Sequence, residues 1–189
     1  MQQPSIKILA ISGSTKSSST SLTLLNFIKN RFESEIDITI YNEIDQLPHF
    51  NPDIKKVPQN VLNFRDLIKQ ADGILFCTPE YVFSLPGSLK NAIEWQVSTT
   101  LFSEKPMALI VAAASGEKAF ESLSLILTTL EAVLPDTSKL LIQGAKGKID
   151  DKGPTVDGIV DQLGELMASF VSVIKAGEST PTKYLQINN

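Results

Sequence analysis

The sequence predicts a three-layer α/β domain, with a parallel sheet between two layers of helices. Short β-rich segments alternate with helical segments five times along the chain, and this alternation is typical of parallel α/β folds. The first β-rich segment, Ile6–Ser12, is almost continuously apolar, as expected for a strand covered on both faces. No internal repeat, low-complexity tract or linker interrupts the pattern, so a single domain is predicted.

Each element can be placed from its own pattern. Strands are predicted at Ile6–Ser12, Ile36–Tyr41, Gly73–Cys77, Met107–Ala114 and Leu140–Gln143. Apolar residues at helical spacing predict helices at Leu22–Phe32, around Val61–Ile68, from Pro86 through Val97, at Phe120–Leu134 and at Asp157–Lys175. Proline suits the first turn of a helix but cannot continue one. Pro86 therefore marks the start of the third helix, and Pro135 marks the end of the fourth.

Length and composition restrict the class of protein. The 189 residues, of which 42% are hydrophobic and 20% charged, are ordinary for one globular domain. We place this domain at 1–189, with a loosely held tail at 177–189. The net charge of −4 argues against nucleic-acid binding, which usually leaves a basic footprint. The single cysteine and single histidine argue against a disulfide framework and a thiolate zinc site, and no metal site is predicted.

The chain shows no sign of membrane insertion or export. No apolar run approaches the length that a bilayer requires, and the N-terminus lacks a basic stretch followed by an apolar core. We therefore expect a cytoplasmic protein.

The loop after the first strand is unusually rich in hydroxyl groups. Eight of the ten residues from Ser12 to Ser21 are serine or threonine, and the other two are Gly13 and Lys16. Hydroxyls, unpaired N–H groups at a helix start and one lysine form a phosphate-binding environment. A helix cap would need only one or two of these hydroxyls. The loop has no second glycine, so it fits neither a P-loop nor a dinucleotide fingerprint, and a single terminal phosphate is favoured.

The segment Thr78–Trp95 carries a more specific motif. It reads TPEYVFSLPGSLKNAIEW and closely resembles the motif TPEYNxSxPGxLKNAIDW of the NADPH-dependent FMN reductase family. Members of this family are flavodoxin-like reductases of quinones, chromate and azo compounds. The resemblance implies a flavodoxin-like fold, with a five-stranded parallel sheet in the order 2-1-3-4-5.

The hydroxyl-rich loop is also similar to its counterpart in this family, whose pattern is GSxRxxSxN. Gly13, Ser14 and Ser19 match that pattern, while Lys16 stands for the arginine and Ser21 for the asparagine. The resemblance implies FMN as cofactor and NADPH or NADH as hydride donor. The cofactor-binding residues that it implies are Ser14, Lys16, Ser19, Thr20, Ser21, Thr78, Pro79, Glu80, Tyr81, Val82, Ser115 and Gly116.

The same resemblance implies an oxidoreductase that passes hydride to FMN and then to a quinone or another small acceptor. It also implies a homodimer or homotetramer. Apolar residues on more than one face of the fourth predicted helix, including Leu125 and Val133, agree with an interface. Hydride transfer depends on alignment more than on a side-chain acid or base, so no catalytic residue is predicted.

Three positions depart from the family pattern. Val82 replaces an asparagine, Lys16 replaces an arginine and keeps only its charge, and Ser115–Ser122 lacks a glycine pair near its end. These departures leave other functions open. The chain could be a flavodoxin-like electron carrier or a flavodoxin-like module that has lost FMN, and the first loop alone would also suit another phosphate ester.

The remaining candidates have structural interpretations. Cys77 lies within an apolar strand and is predicted to be an inert, buried thiol. His49 lies in a loop with no recognisable partner, and Trp95 is assigned to the core or to an interface. The Glu80 carboxylate is expected to turn away from the flavin or to pair at a subunit boundary.

Overall fold

The computed structural model describes residues 6–178 and contains one sheet. Its strands are β1 (Ile6–Ser12), β2 (Ile36–Tyr41), β3 (Gly73–Thr78), β4 (Met107–Ala113) and β5 (Lys139–Gln143). They are parallel and lie in the order β2-β1-β3-β4-β5. Every residue of β3 is buried, which explains its continuous apolarity. The predicted fold class and strand order are confirmed.

Five helices cover the two faces of this sheet. They are α1 (Thr20–Phe32), α2 (Gln59–Gln70), α3 (Gly87–Glu94), α4 (Glu117–Thr129) and α5 (Asp157–Glu178). Helices α2, α3 and α4 bury their apolar stripes in one core cluster. Helices α1 and α5 bury theirs in a second cluster on the opposite face. As predicted, α3 begins directly after Pro86.

Helix α4 ends five residues earlier than its apolar spacing predicted. The chain leaves the helix at Leu130, and Glu131 has a positive φ of 62°. Val133 then pairs with Pro106 beside β4. Leu134 is nevertheless buried in the same core cluster as Leu127. The apolar repeat therefore continues past the helix end, and for that reason the sequence pattern does not reveal the turn.

Two predictions, the loosely held tail and the absence of a membrane span, can be compared with the described residues. Gly177 and Glu178 form the end of α5, while the rest of the expected tail, 179–189, lies outside the described residues. Between residues 6 and 178, no helix combines the length and the apolarity needed to cross a membrane.

Candidate functional site

Three loops meet at one edge of the sheet. We call the segment Gly13–Ser19 the first loop, Pro79–Pro86 the second and Ala114–Gly116 the third; they follow β1, β3 and β4 respectively. These three strands are neighbours in the sheet, so their carboxyl ends lie side by side. The strand order reverses between β1 and β3, and ligands of open parallel sheets bind at such a switch point.

The first loop directly contacts the end of β3, where the second loop starts, at Gly13. The Gly13 N–H donates to the Cys77 carbonyl oxygen at 2.8 Å, which extends the pairing of β1 and β3. A Cβ at Gly13 would lie only 2.3 Å from Thr78 Oγ1 and 2.5 Å from Thr78 Cβ. Glycine is therefore the only residue type that fits against the end of β3 without displacing Thr78.

The end of the first loop forms the N-terminus of α1. Ser19 is the N-cap, and its Oγ accepts a hydrogen bond from Leu22 N at 3.2 Å. The N–H groups of Thr20 and Ser21, in the first helical turn, have no acceptor in the part of the chain that the structure describes. Two free donors and the positive end of the helix dipole thus point out of the first loop.

The other expected phosphate ligands differ in exposure. Ser14 is buried, and its Oγ accepts a hydrogen bond from Lys16 N at 3.3 Å. Ser12 Oγ in turn donates to the Ser14 carbonyl oxygen at 3.2 Å. These bonds shape the turn and leave the Lys16 side chain exposed. The one full positive charge of the loop is therefore free to approach an anion.

Ser21 is placed differently from the other hydroxyls. Its side chain is buried and makes no well-formed hydrogen bond, although it lies close enough to Cys77 to influence that thiol. Burial raises the pKa of Cys77 to about 12, and the Ser21 hydroxyl offsets only part of this effect. Cys77 is thus a buried, protonated thiol, as predicted. Ser21 contributes its backbone N–H to the loop edge, while its side chain faces the strands.

The second loop follows a buried strand end, reaches into solvent at Tyr81–Phe83 and is buried again at Leu85 and Pro86. Thr78 is buried, and its Oγ1 donates to the Pro79 carbonyl oxygen at 3.1 Å. Tyr81 and Ser84 exchange two backbone hydrogen bonds, of 2.9 and 3.0 Å, across a two-residue turn. This pairing uses the N–H of Tyr81. The N–H groups of Glu80 and Val82 have no acceptor among residues 6–178.

The Glu80 carboxylate caps helix α4. Its Oε2 accepts hydrogen bonds from Lys118 N at 2.9 Å and Ala119 N at 3.1 Å, and its Oε1 accepts one from Gly116 N at 3.2 Å. A carboxylate at a helix N-terminus is stabilised by these free donors and by the helix dipole. The carboxylate is therefore held at the start of α4, and these three partners belong to the same chain.

This cap was not recognised in the sequence, although a signal for it exists. The N-cap position of α4 is Gly116, which has no side chain to accept a hydrogen bond. A helix that starts in this way leaves its first N–H groups to water or to an acceptor from elsewhere in the chain. Glu80 supplies it from 36 residues upstream and so connects the second loop to the third.

The third loop is shorter than its sequence suggested. Helix α4 begins at Glu117, so Glu121 and Ser122 lie within the helix rather than in the loop. Glu121 pairs with Lys118 at 2.8 Å on the surface. Gly116 has a φ of +85°, and a Cβ there would lie 2.8 Å from Leu141 Cδ1. The third loop thus consists of Ala114, Ser115 and Gly116, and Ser115 is exposed.

Two motif residues hold the segment after β2. Asn91 Oδ1 accepts a hydrogen bond from Phe50 N at 2.7 Å, and Asn91 Nδ2 donates to the Pro48 carbonyl oxygen at 3.1 Å. Trp95 is buried, and its indole N–H donates to the same Pro48 oxygen at 2.7 Å. The motif therefore fixes this connection as well as the second loop. His49, between the two anchored residues, is exposed.

The donor set of the first loop suits a phosphate monoester. It combines two free N–H groups at a helix start, several hydroxyls and one exposed lysine. The one carboxylate of the second loop accepts from N–H groups at the start of α4, so it does not occupy the donors of the first loop. The residues present are compatible with the phosphate of FMN.

Comparison with known proteins gives a consistent result. The family model of NADPH-dependent FMN reductase matches residues 6–147. The NADH:(hydroxy)cinnamate reductase subunit CrdA of Vibrio ruber is 34% identical over 86% of this chain and 84% of its own length. An NAD(P)H-dependent FMN reductase of Pseudomonas aeruginosa is 33% identical over 84% of this chain and 89% of its own length.

A solved structure agrees with the fold. The flavoenzyme NAD(P)H:(acceptor) oxidoreductase FerB of Paracoccus denitrificans superposes with a TM-score of 0.81 at 26% identity. The match covers 91% of this chain and 98% of FerB. The matches confirm the predicted family together with its cofactor and donor, FMN and NAD(P)H. The chain therefore belongs to the NADPH-dependent FMN reductase family and is an oxidoreductase.

Proposed function

We propose that this chain binds FMN across the three loops and uses it to pass electrons from NADPH or NADH to a quinone or another small acceptor. The observation that carries the proposal is the pair of free N–H groups at the start of α1, beside Lys16 and the Ser19 hydroxyl. Charge-assisted hydrogen bonds from such donors are about twice as strong as neutral ones.

The proposed ligands fall into three groups, one for each loop. The phosphate is held by Ser14, Lys16, Ser19, Thr20 and Ser21, the last through its backbone. The isoalloxazine lies along Thr78, Pro79, Glu80, Tyr81 and Val82, and Ser115 and Gly116 approach from the third loop. Glu80 and Val82 contribute the N–H groups that the turn leaves free, while the Glu80 carboxylate remains at α4.

The protein's contribution to the reaction is orientation. When held by these residues, FMN would supply the two-electron chemistry that links a hydride donor such as NAD(P)H to a two-electron acceptor, and one of the two protons of the reduced acceptor would come from solvent. Free backbone donors on the second loop favour negative charge that develops at the ring edge. The chain then needs no side-chain acid or base, because hydride transfer depends on alignment.

We also infer that the chain forms homodimers or homotetramers. Leu125, on the outer side of α4, is 68% exposed, and Val97 after α3 is also exposed. Large apolar side chains in solvent favour association when they lie on a common surface. Light scattering coupled to size-exclusion chromatography measures the state directly, and a monomer at micromolar concentration would contradict the inference.

The phosphate site can be tested with the double variant Lys16→Ala, Ser19→Ala. Loss of the lysine charge and of the capping hydroxyl should weaken FMN binding by about a hundredfold, as measured by the quenching of flavin fluorescence. Riboflavin, which lacks the phosphate, should bind the variant and the native chain equally well.

The control is Lys29→Ala, which removes an exposed lysine from the last turn of the same helix. It should leave both affinities at their native values. If the double variant bound FMN as tightly as the native chain, or lost riboflavin to the same extent as FMN, the phosphate assignment would be wrong.

A further inference from the structure

The tip of the second loop, which consists of Val82 and Phe83, has an unusual backbone for its residue types. Both residues have positive φ angles, 51° and 55° respectively. They lie between Tyr81 and Ser84, which are paired with each other. Two-residue turns with positive φ at both positions normally carry Asn-Gly or a similar pair. A β-branched residue in this region is an outlier.

The same two side chains are apolar, although both are exposed to solvent. Val82 is 96% exposed and Phe83 is 77% exposed, so neither gains stability by burial within the chain. Val82 stands where the family motif has asparagine, which adopts positive φ far more readily. The tip therefore combines an unfavourable backbone conformation with two apolar side chains in solvent. The pair Asn-Gly at the same positions would avoid both costs. Strain of this kind is found where the side chains serve a function.

The position of the tip indicates that function. It directly follows Pro79–Tyr81, on the loop that continues from Thr78, and Thr78 is in contact with Gly13 of the first loop. Two adjacent side chains offer an apolar area comparable with one ring of a small molecule. This area is far smaller than the surface of about 800 Å² that each partner buries in a typical subunit interface. A ring-bearing acceptor that approaches this edge would cover the tip.

We propose that the tip, and Phe83 in particular, is a specificity element with which this chain selects acceptors that carry an additional apolar ring. The inference rests on the proposed function, because the proposed function is what places the acceptor beside the second loop. Covering Phe83 with an apolar ring removes hydrocarbon from water. This contact favours a naphthoquinone over a benzoquinone and offsets the unfavourable turn.

The test compares kcat/KM for 2-methyl-1,4-naphthoquinone with that for 1,4-benzoquinone, using FMN-loaded full-length chain and NADPH. In Phe83→Gly the ratio of the two values should fall about tenfold. The midpoint of thermal unfolding should rise by about 2–4 °C, because glycine removes the strain at φ 55°. Phe83→Leu keeps an apolar side chain and should retain most of the native ratio.

Glu104→Gly is the matched control. Glu104 is exposed and has a positive φ of 58°, but it precedes β4 and so lies at the opposite edge of the sheet from the tip. This variant should show the rise in unfolding midpoint without a change in the quinone ratio. The opposite effects of Phe83→Gly on stability and on selectivity distinguish a functional tip from a structural one.

Three results would overturn the proposal. One is an unchanged ratio in Phe83→Gly, and another is an equal loss in Phe83→Leu and Phe83→Gly. The third is a change of oligomeric state in Phe83→Gly, which would assign the tip to a second copy of the chain. In each of these three cases the native chain would still oxidise NADPH with a quinone, so the proposed function would stand. Failure of the native chain to do so would instead contradict the proposed function.

Discussion

Replacing Gly13 with alanine is expected to lower the free energy of unfolding by about 3 kcal/mol and to abolish FMN binding at micromolar concentration. The new Cβ would lie 2.3 Å from Thr78 Oγ1 and 2.9 Å from Leu89 Cδ2. Neither neighbour can move freely, since Thr78 and Leu89 are buried. Relief of the clash must therefore move the first loop away from the end of β3, where the second loop starts. Urea unfolding and fluorescence titration with FMN measure the two effects.

Gly87→Ala provides the control for this variant. Gly87 belongs to the same motif and is the first residue of α3, but a Cβ there meets nothing within 4 Å. Alanine is favoured over glycine in a helix, so this variant should be as stable as the native chain or slightly more stable, and FMN affinity should be preserved. Native FMN affinity in Gly13→Ala would show that the contact of the first loop with the end of β3 does not shape the site.

Replacing Glu80 with alanine is expected to lower the free energy of unfolding by about 2 kcal/mol. It should also weaken FMN binding by about tenfold. The substitution leaves the N–H groups of Gly116, Lys118 and Ala119 without their shared acceptor. The N-terminus of α4 should then loosen, and the third loop should lose its connection to the second. Thermal unfolding and FMN titration measure these effects.

Two further variants separate the cap from other roles of the carboxylate. Glu80→Gln keeps one acceptor oxygen, which can serve Lys118 N and Ala119 N, and should recover about half of the lost stability. Glu121→Ala removes an exposed ion pair from the same helix and should behave like the native chain. If Glu80→Ala kept native stability and native FMN affinity, the proposed connection between the loops would be wrong.

Features that depend on neighbouring residues were predictable from the sequence. The strands follow from local apolar patterns, and the cap of α1 lies within a run of serines. The order of the strands came from the family resemblance, and its motif placed the second loop at β3. Once these strands are parallel and adjacent, the meeting of the three loops at one edge is a consequence of topology.

Features that depend on distant residues were not predictable in this way. The bonds from Glu80 to α4 span 36 to 39 residues, and those from Asn91 to the segment after β2 span 41 to 44 residues. Such contacts depend on strand register and loop direction, which residue spacing does not contain. The left-handed backbone at Val82 and Phe83 runs against the preferences of both residue types, so propensity would have predicted a different turn.

We propose above all that this chain holds FMN at the three loops and reduces it with a nicotinamide donor. The most direct measurement is the visible flavin absorbance of the purified chain after excess FMN has been washed away, followed by anaerobic addition of NADPH or NADH. We expect retained flavin absorbance that bleaches with a nicotinamide donor and returns when a quinone is added. Retained absorbance that neither donor bleaches, or a colourless chain that does not take up added FMN, would contradict this proposal.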